Sequence, residues 1–180
     1  MKERYVVDTN VLIAASAGDP QDPKDLDATP EDPSLRLKIF YWLDEFMPSS
    51  SHLVLDSVEK IYKEYRNKLN DQDFGIQLVI HKWSTSAVDS VSVEYDANGH
   101  GCLPGTLALT IHDREDRKMV AACLAALATH GPCVIAFAGD SDWIGWGRTL
   151  REHRVELEPV IEIWAHQKYG EKQKKKISRP

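Results

Sequence analysis

Residues 4–16 read RYVVDTNVLIAAS, and the fold turns on this stretch. Tyr5, Val6 and Val7 form the short, continuously apolar run of a strand buried on both faces. Asp8, Thr9 and Asn10 then break the run, which resumes at Val11, Leu12 and Ile13. A carboxylate set among core-grade residues is costly unless something pairs with it. Asp8 therefore either caps the element that follows or holds something.

A second run of the same kind, CVIAFAGDSDW at 133–143, is a continuous apolar strand that passes into an acidic turn. Helical patterns separate the two. Leu35, Ile39, Leu43 and Phe46 recur at helical spacing and predict a helix over 34–47, with Ser34 as its N-cap. HLVLD suits a second buried strand. In DSVEKIYKEYRNKLN the stripe Val58, Ile61, Tyr62, Tyr65 and Leu69 marks an amphipathic helix. Another helix is expected over 71–86 through Phe74, Leu78 and Trp83, although Gly75 weakens it. Val91, Val93 and Tyr95 alternate as in a strand before a loop marked by Asn-Gly and Pro-Gly. REDRKMVAACLAALATHG is a strong helix stopped by Gly131. A helix over 143–152, a strand at VELEP and a last helix from Pro159 to about Lys168 complete the chain. Buried strands alternating with helices predict an α/β fold, with helices on both faces of a parallel sheet. Function in such sheets gathers at the carboxyl ends of the strands.

The 180 residues fit one domain, 1–168, followed by a basic, disordered tail over 169–180. No apolar stretch approaches the ~18 residues of a membrane span, and no basic segment with an apolar h-region opens the chain. A cytoplasmic protein with no membrane association is expected. Cys102, Cys123 and Cys133 are odd in number and lack CxxC spacing, which indicates neither disulfides nor zinc. The net charge of −6 is unevenly spread. Residues 16–34 hold six acids against Lys24, with 18–33 reading as a long Asp-Pro loop, whereas 168–180 hold five lysines and Arg179 against Glu171. Such a basic end attracts polyanions, or simply solubilises the terminus.

Acids collect where a site is expected. Asp8 follows the first strand; Asp140 and Asp142 follow CVIAFAG. At about 100° per residue, Glu64 lies on the shoulder of the stripe containing Ile61. Asp113 and Asp116 introduce the helix MVAACLAAL, and Asp116 is in phase with Met119 and Val120. Four segments thus deliver carboxylates that can converge as an oxygen-ligand site for Mg²⁺ or Mn²⁺. Singly, each acid also fits a structural role. Asp113 and Asp116 suit helix capping, Glu64 suits pairing with neighbouring lysines, and Asp140 suits a turn.

VVDTNVLI, YKEY, DREDRKMVAACLA and AGDSDW, taken in this order, resemble the four acidic motifs of the PIN-domain ribonucleases over roughly residues 4–165. The resemblance implies a three-layer α/β/α sandwich with a central parallel sheet. It also implies Asp8, Glu64, Asp116 and Asp140 as catalytic, metal-binding acids, Asp142 as an auxiliary acid, and Asn10 as a residue that orients Asp8 or contacts the metal shell. Asp113 remains an alternative to Asp116 as the third ligand. The loop over 18–33 is longer than the link usual at that point in the family. The implied activity is metal-dependent endoribonuclease cleavage of single-stranded or looped RNA, with homodimerisation. By family analogy alone, the chain would be either the toxin of a toxin–antitoxin pair, masked by a small antitoxin protein, or a processing or quality-control nuclease, which fits the residues equally well.

Trp143, Trp146 and Arg148 follow the last acidic turn and are candidates for holding RNA bases, unless the tryptophans serve packing. The seven histidines form no close ligand pair in sequence. Two rivals stand beside the nuclease. An aspartyl phosphatase would want an acid where Asn10 stands, and a catalytically silent interaction module would make use of the acidic loop.

Overall fold

A computed structural model of the chain describes residues 1–177. Five strands, β1 (Arg4–Val7), β2 (His52–Asp56), β3 (Val88–Val91), β4 (Val134–Phe137) and β5 (Glu156–Pro159), form one parallel sheet in the order β3-β2-β1-β4-β5. Tyr5, Val6, Val7, Leu53, Val54, Ile135, Ala136 and Phe137 are fully buried. That is why β1, β2 and β4 read as unbroken apolar runs: both faces are covered, so no alternation is imposed.

The helices are α1 (Thr9–Ala17), α2 (Pro33–Phe46), α3 (Lys60–Lys68), α4 (Phe74–Ser84), α5 (Gly105–Thr110), α6 (Arg117–Thr129), α7 (Asp142–Glu152) and α8 (Glu162–Ile177). From β1 the chain steps outward to β2 and β3, then returns across the sheet to β4 and β5. Right-handed crossovers send the first set of helices to one face and the second set to the other. Accordingly α1, α2 and α4 pack together, while α6 lies over β1 to β4 and α5 packs on α7. The result is a three-layer α/β/α sandwich. Its strand order reverses between β1 and β4, the adjacent pair whose carboxyl ends carry Asp8 and Asp140.

Several boundaries differ from those read in sequence. Asp32, not Ser34, caps α2, its carboxylate accepting from the Ser34 N–H at 2.8 Å, and Pro33 takes the first turn. Val58 is half exposed and precedes α3, because Asp56 accepts the N–H groups of Lys60 and Ile61 and so starts the helix later. Gly75 does not weaken α4. It allows that helix to approach α1, where an added Cβ would stand 2.7 Å from Leu12 Cβ. Pro159 ends β5 rather than starting a helix.

The last helix does not stop near Lys168, and residues 169–177 of the expected disordered tail are helical. Glu, Gln and Lys are good helix formers; in addition, Lys168 pairs with Glu171 at 3.0 Å and Lys172 with Asp142 at 2.5 Å. Residues 178–180 of that tail lie outside the described residues. No helix among the described residues is long and apolar enough to cross a membrane.

Candidate functional site

Asp8 stands where β1 becomes α1, 3% exposed. Its N–H extends the ladder to the Ala136 carbonyl at 2.9 Å, and its Oδ1 accepts the Asn10 N–H at 3.0 Å as the N-cap of α1. Oδ2 accepts the indole Nε1–H of Trp143 at 3.0 Å. One residue upstream, the Tyr65 hydroxyl donates to the Val7 carbonyl at 2.5 Å and fixes the end of the strand from α3. Asp8 is thus both a cap and a buried charge.

Glu64, on α3, meets α1 and α6. It accepts from the Thr9 hydroxyl, and its Oε2 lies 2.5 Å from the Lys118 ammonium. Lys118 is almost wholly buried and also donates to the Glu115 carbonyl at 2.7 Å. Burial opposes charge on Lys118, but Glu64 and Glu115 more than offset it and hold its pKa above the usual lysine value.

Asp116 directly precedes α6 and is half-buried, whereas Asp113 is exposed and folds back to accept the Glu115 N–H at 2.9 Å. Asp140 follows β4 through Gly139, whose φ of +41° and close approach exclude a side chain. An added Cβ there would stand 2.6 Å from the Thr29 carbonyl oxygen and 3.2 Å from Asn10 Cβ. Asp140 accepts the Asp142 N–H at 2.8 Å, and Asp142 pairs with Lys172 from α8. His112 Nε2 lies 3.7 Å from Asp142, and the Trp146 indole donates to His112 Nδ1 at 3.3 Å. His112 Nδ1 also lies 3.4 Å from the Thr110 carbonyl oxygen.

The carboxylates feel one another. Burial pushes the Asp8 carboxyl up to about 7, with Asp140 and Glu64 adding to the rise and the Asn10 and Trp143 hydrogen bonds opposing it. Burial likewise pushes Asp116 up to about 9, reinforced by Asp8, Asp113, Asp140 and Glu64. Asp140 is raised by burial and by Asp142 and Asp113, against the opposing Asp142 N–H bond and the Lys172 charge. An oxygen-only donor set with crowded negative charge fits a hard divalent cation. Among the described residues, however, no group of three His, Cys, Asp or Glu side chains stands at metal-holding separation. Lys118 is the internal cation that partly balances the charge.

Two expectations for the substrate side are corrected. Trp143 is fully buried, with its N–H committed to Asp8, and Trp146 is 3% exposed and packs edge-on against it with ring centroids 5.2 Å apart; neither can stack on a base. Arg148, on α7, has its side chain 92% exposed and paired with Glu152 at 3.3 Å. Asn10 does orient Asp8, but through its backbone N–H. Lys118, Tyr65, Lys172 and His112 did not stand out in sequence. The traces were indirect: Tyr65 lay on an apolar stripe, Lys172 in the basic end, and Lys118 at helical phase with the core positions Ala122 and Ala126 of α6.

The acidic loop over 18–33 borders the site. Ala28 is 3% exposed, and the Arg36 guanidinium donates to the carbonyls of Ala28 at 2.5 Å and Pro30 at 2.6 Å. Thr29 packs on Gly139, next to Asp140.

Comparison of the chain with family models, curated proteins and solved structures found no match to any of the three.

Proposed function

We propose that the chain is a metal-dependent endoribonuclease of the PIN-like kind that its acidic motifs resemble. The observation that carries this reading is the position of Asp8 and Asp140. They end the two adjacent strands between which the sheet order reverses, the crevice where open α/β sheets bind their ligands. Asp116, just before α6, and Glu64, on α3, bring their carboxyl groups into the same field. Asp8, Glu64, Asp116 and Asp140 would hold Mg²⁺ or Mn²⁺, with Asp142 and Asp113 beside them. Such an ion supplies Lewis-acid activation of water and charge neutralisation at a scissile phosphate.

The chain's own groups prepare that chemistry. Trp143 and Asn10 fix both oxygens of Asp8, and Tyr65 fixes the carbonyl before it. Thr9 and Lys118 hold Glu64. With a carboxyl near 9, Asp116 retains its proton at neutral pH until a cation offsets its neighbours.

One observation favours a second reading, a catalytically silent interaction module. Glu64 and Asp142 already have protein cations, Lys118 and Lys172, as partners. A single panel separates the readings: single-stranded RNA, duplex RNA, DNA and a chromogenic phosphomonoester, each with Mg²⁺, Mn²⁺ or EDTA, for wild type and Asp8→Asn. Asparagine is itself a good N-cap, so the variant keeps α1. Metal-dependent RNA cutting by wild type that Asp8→Asn lacks is the expected result. Hydrolysis of the phosphomonoester alone would favour the phosphatase. Silence of wild type, with no Mn²⁺ binding by calorimetry, would favour the interaction module.

A further inference from the structure

Five lysines stand on α8, Lys168, Lys172, Lys174, Lys175 and Lys176, and that helix packs on α7, which begins at Asp142. Ala165, 2% exposed, marks the face that α8 turns to the protein. At about 100° per residue, Lys172 and Lys176 fall within about 20° of that direction and Lys168 within about 60°. Beyond Ala165 the covered face of α8 passes to Tyr169, and Lys168, Lys172 and Lys176 form an exposed row along its border. Tyr169 fixes where this row lies. Its ring rests on Gly145 of α7, where an added Cβ would stand 2.8 Å from Tyr169 Cε2. One turn on, the Lys172 ammonium reaches Asp142 at 2.5 Å, and its charge is felt at Asp140.

We infer that this face of α8 is a track for the phosphate backbone of single-stranded RNA, leading to the carboxylates at the ends of β1 and β4. The inference names the substrate contact of the nuclease proposed above and rests on that reading for its purpose. An acidic site on a chain of net charge −6 repels a polyanion unless cations stand at its mouth, and α8 supplies them beside Asp142. Lysines four apart on a helix are spaced by about 6 Å along its axis, so they can follow successive phosphates of one extended strand. One row of charges serves one backbone, which favours a single strand over a duplex.

Binding is measured in EDTA, where cutting does not interfere, as the fluorescence anisotropy of a labelled single-stranded RNA over a range of salt. The variants are Lys168→Gln/Lys172→Gln/Lys176→Gln and, as a charge control, Lys174→Gln, which lies about 200° round the helix from Lys172. Three lost phosphate contacts should lower the slope of log K against log salt by about 2 and weaken low-salt binding by about tenfold or more. Lys174→Gln should change the slope by well under 1. Absence of RNA binding by wild type, an unchanged triple variant, or an equal loss in Lys174→Gln would each overturn the track. Should the triple variant lose helicity by circular dichroism, Lys176→Glu, beyond the Tyr169–Gly145 contact, serves in its place: weaker binding supports the track and wild-type binding overturns it. Binding that depends on α8, in a protein that cuts nothing with Mg²⁺ or Mn²⁺, would sink the nuclease and leave the track. RNA cutting with the triple variant equal to wild type in KM would do the reverse.

Discussion

The indole N–H of Trp143 donates to Oδ2 of Asp8 at 3.0 Å, tying the first turn of α7 to the end of β1. The two residues are 135 positions apart in the chain, and both are buried. The bond joins the two strand ends at which the sheet order reverses, so the candidate site is assembled by the same contact that closes the core beneath it.

Trp143→Phe keeps the ring in the core but removes the donor. Asp8 is then left with one oxygen unpaired in a buried place, a loss of about 1–3 kcal/mol. The Asp8 carboxyl should also rise beyond about 7, because a hydrogen bond that favours its charged form is gone. Urea unfolding of the variant checks the first expectation. A carbonyl-region infrared or NMR titration of Asp8 checks the second, and stability equal to wild type at pH 8 would contradict both.

Stability without divalent metal should fall as pH rises. Asp8, Asp116 and Asp140 all titrate above their unfolded value of 3.8 in the folded state, so the folded chain binds more protons than the unfolded one. The stability they contribute is complete below about pH 4. It is lost as pH rises through about 7 for Asp8 and about 9 for Asp116. Asp32, Asp89 and Asp96, held below the usual carboxylate value, act oppositely and lose their contribution on acidification. Calorimetric Tm in EDTA should therefore decline from about pH 5 to pH 9, more shallowly in Asp116→Asn, and Mn²⁺ should flatten the decline. A Tm that climbs with pH in EDTA would contradict the crowded-acid description.

Lys118→Met removes the cation from Glu64. The pair is only partly shielded, since the Glu64 side chain is 28% exposed, so a loss on the order of 2 kcal/mol is expected, less than for a fully buried pair. With one positive charge gone, the rise in Tm on adding Mn²⁺ should exceed that of wild type. An equal or smaller rise would mean that Lys118 does not share the field of the carboxylates.

Gly139→Ala should destabilise by about 1–3 kcal/mol, because alanine is strained at φ +41° and its Cβ would meet the Thr29 carbonyl. The loop over 18–33 would have to move away from Asp140. Faster cleavage of that loop in limited proteolysis is the expected sign.

The α/β class and the strands β1, β2 and β4 were legible in sequence because burial on both faces writes an unbroken apolar run, as in Tyr5-Val6-Val7 and Val134 to Phe137. Asp8 and Asp140 were legible as strand-end carboxylates for the same reason, each being the first acid after such a run. Helix ends were less so: Asp32 and Asp56 took capping roles that any nearby polar residue competes for, and Lys172 extends α8 through an ion pair 30 residues away in the chain. Periodicity records which face of a helix is covered and carries nothing about what covers it. Trp143 could therefore be placed after an acidic turn but not on Asp8, and Lys118 on α6 but not against Glu64. Those pairings depend on the order in which the strands assemble and on the crossing of α3, α6 and α7 over their ends. A charge becomes expensive or balanced only when its neighbours in space are fixed, so the sequence determined which acids are present and the tertiary structure alone decided which of them share one field.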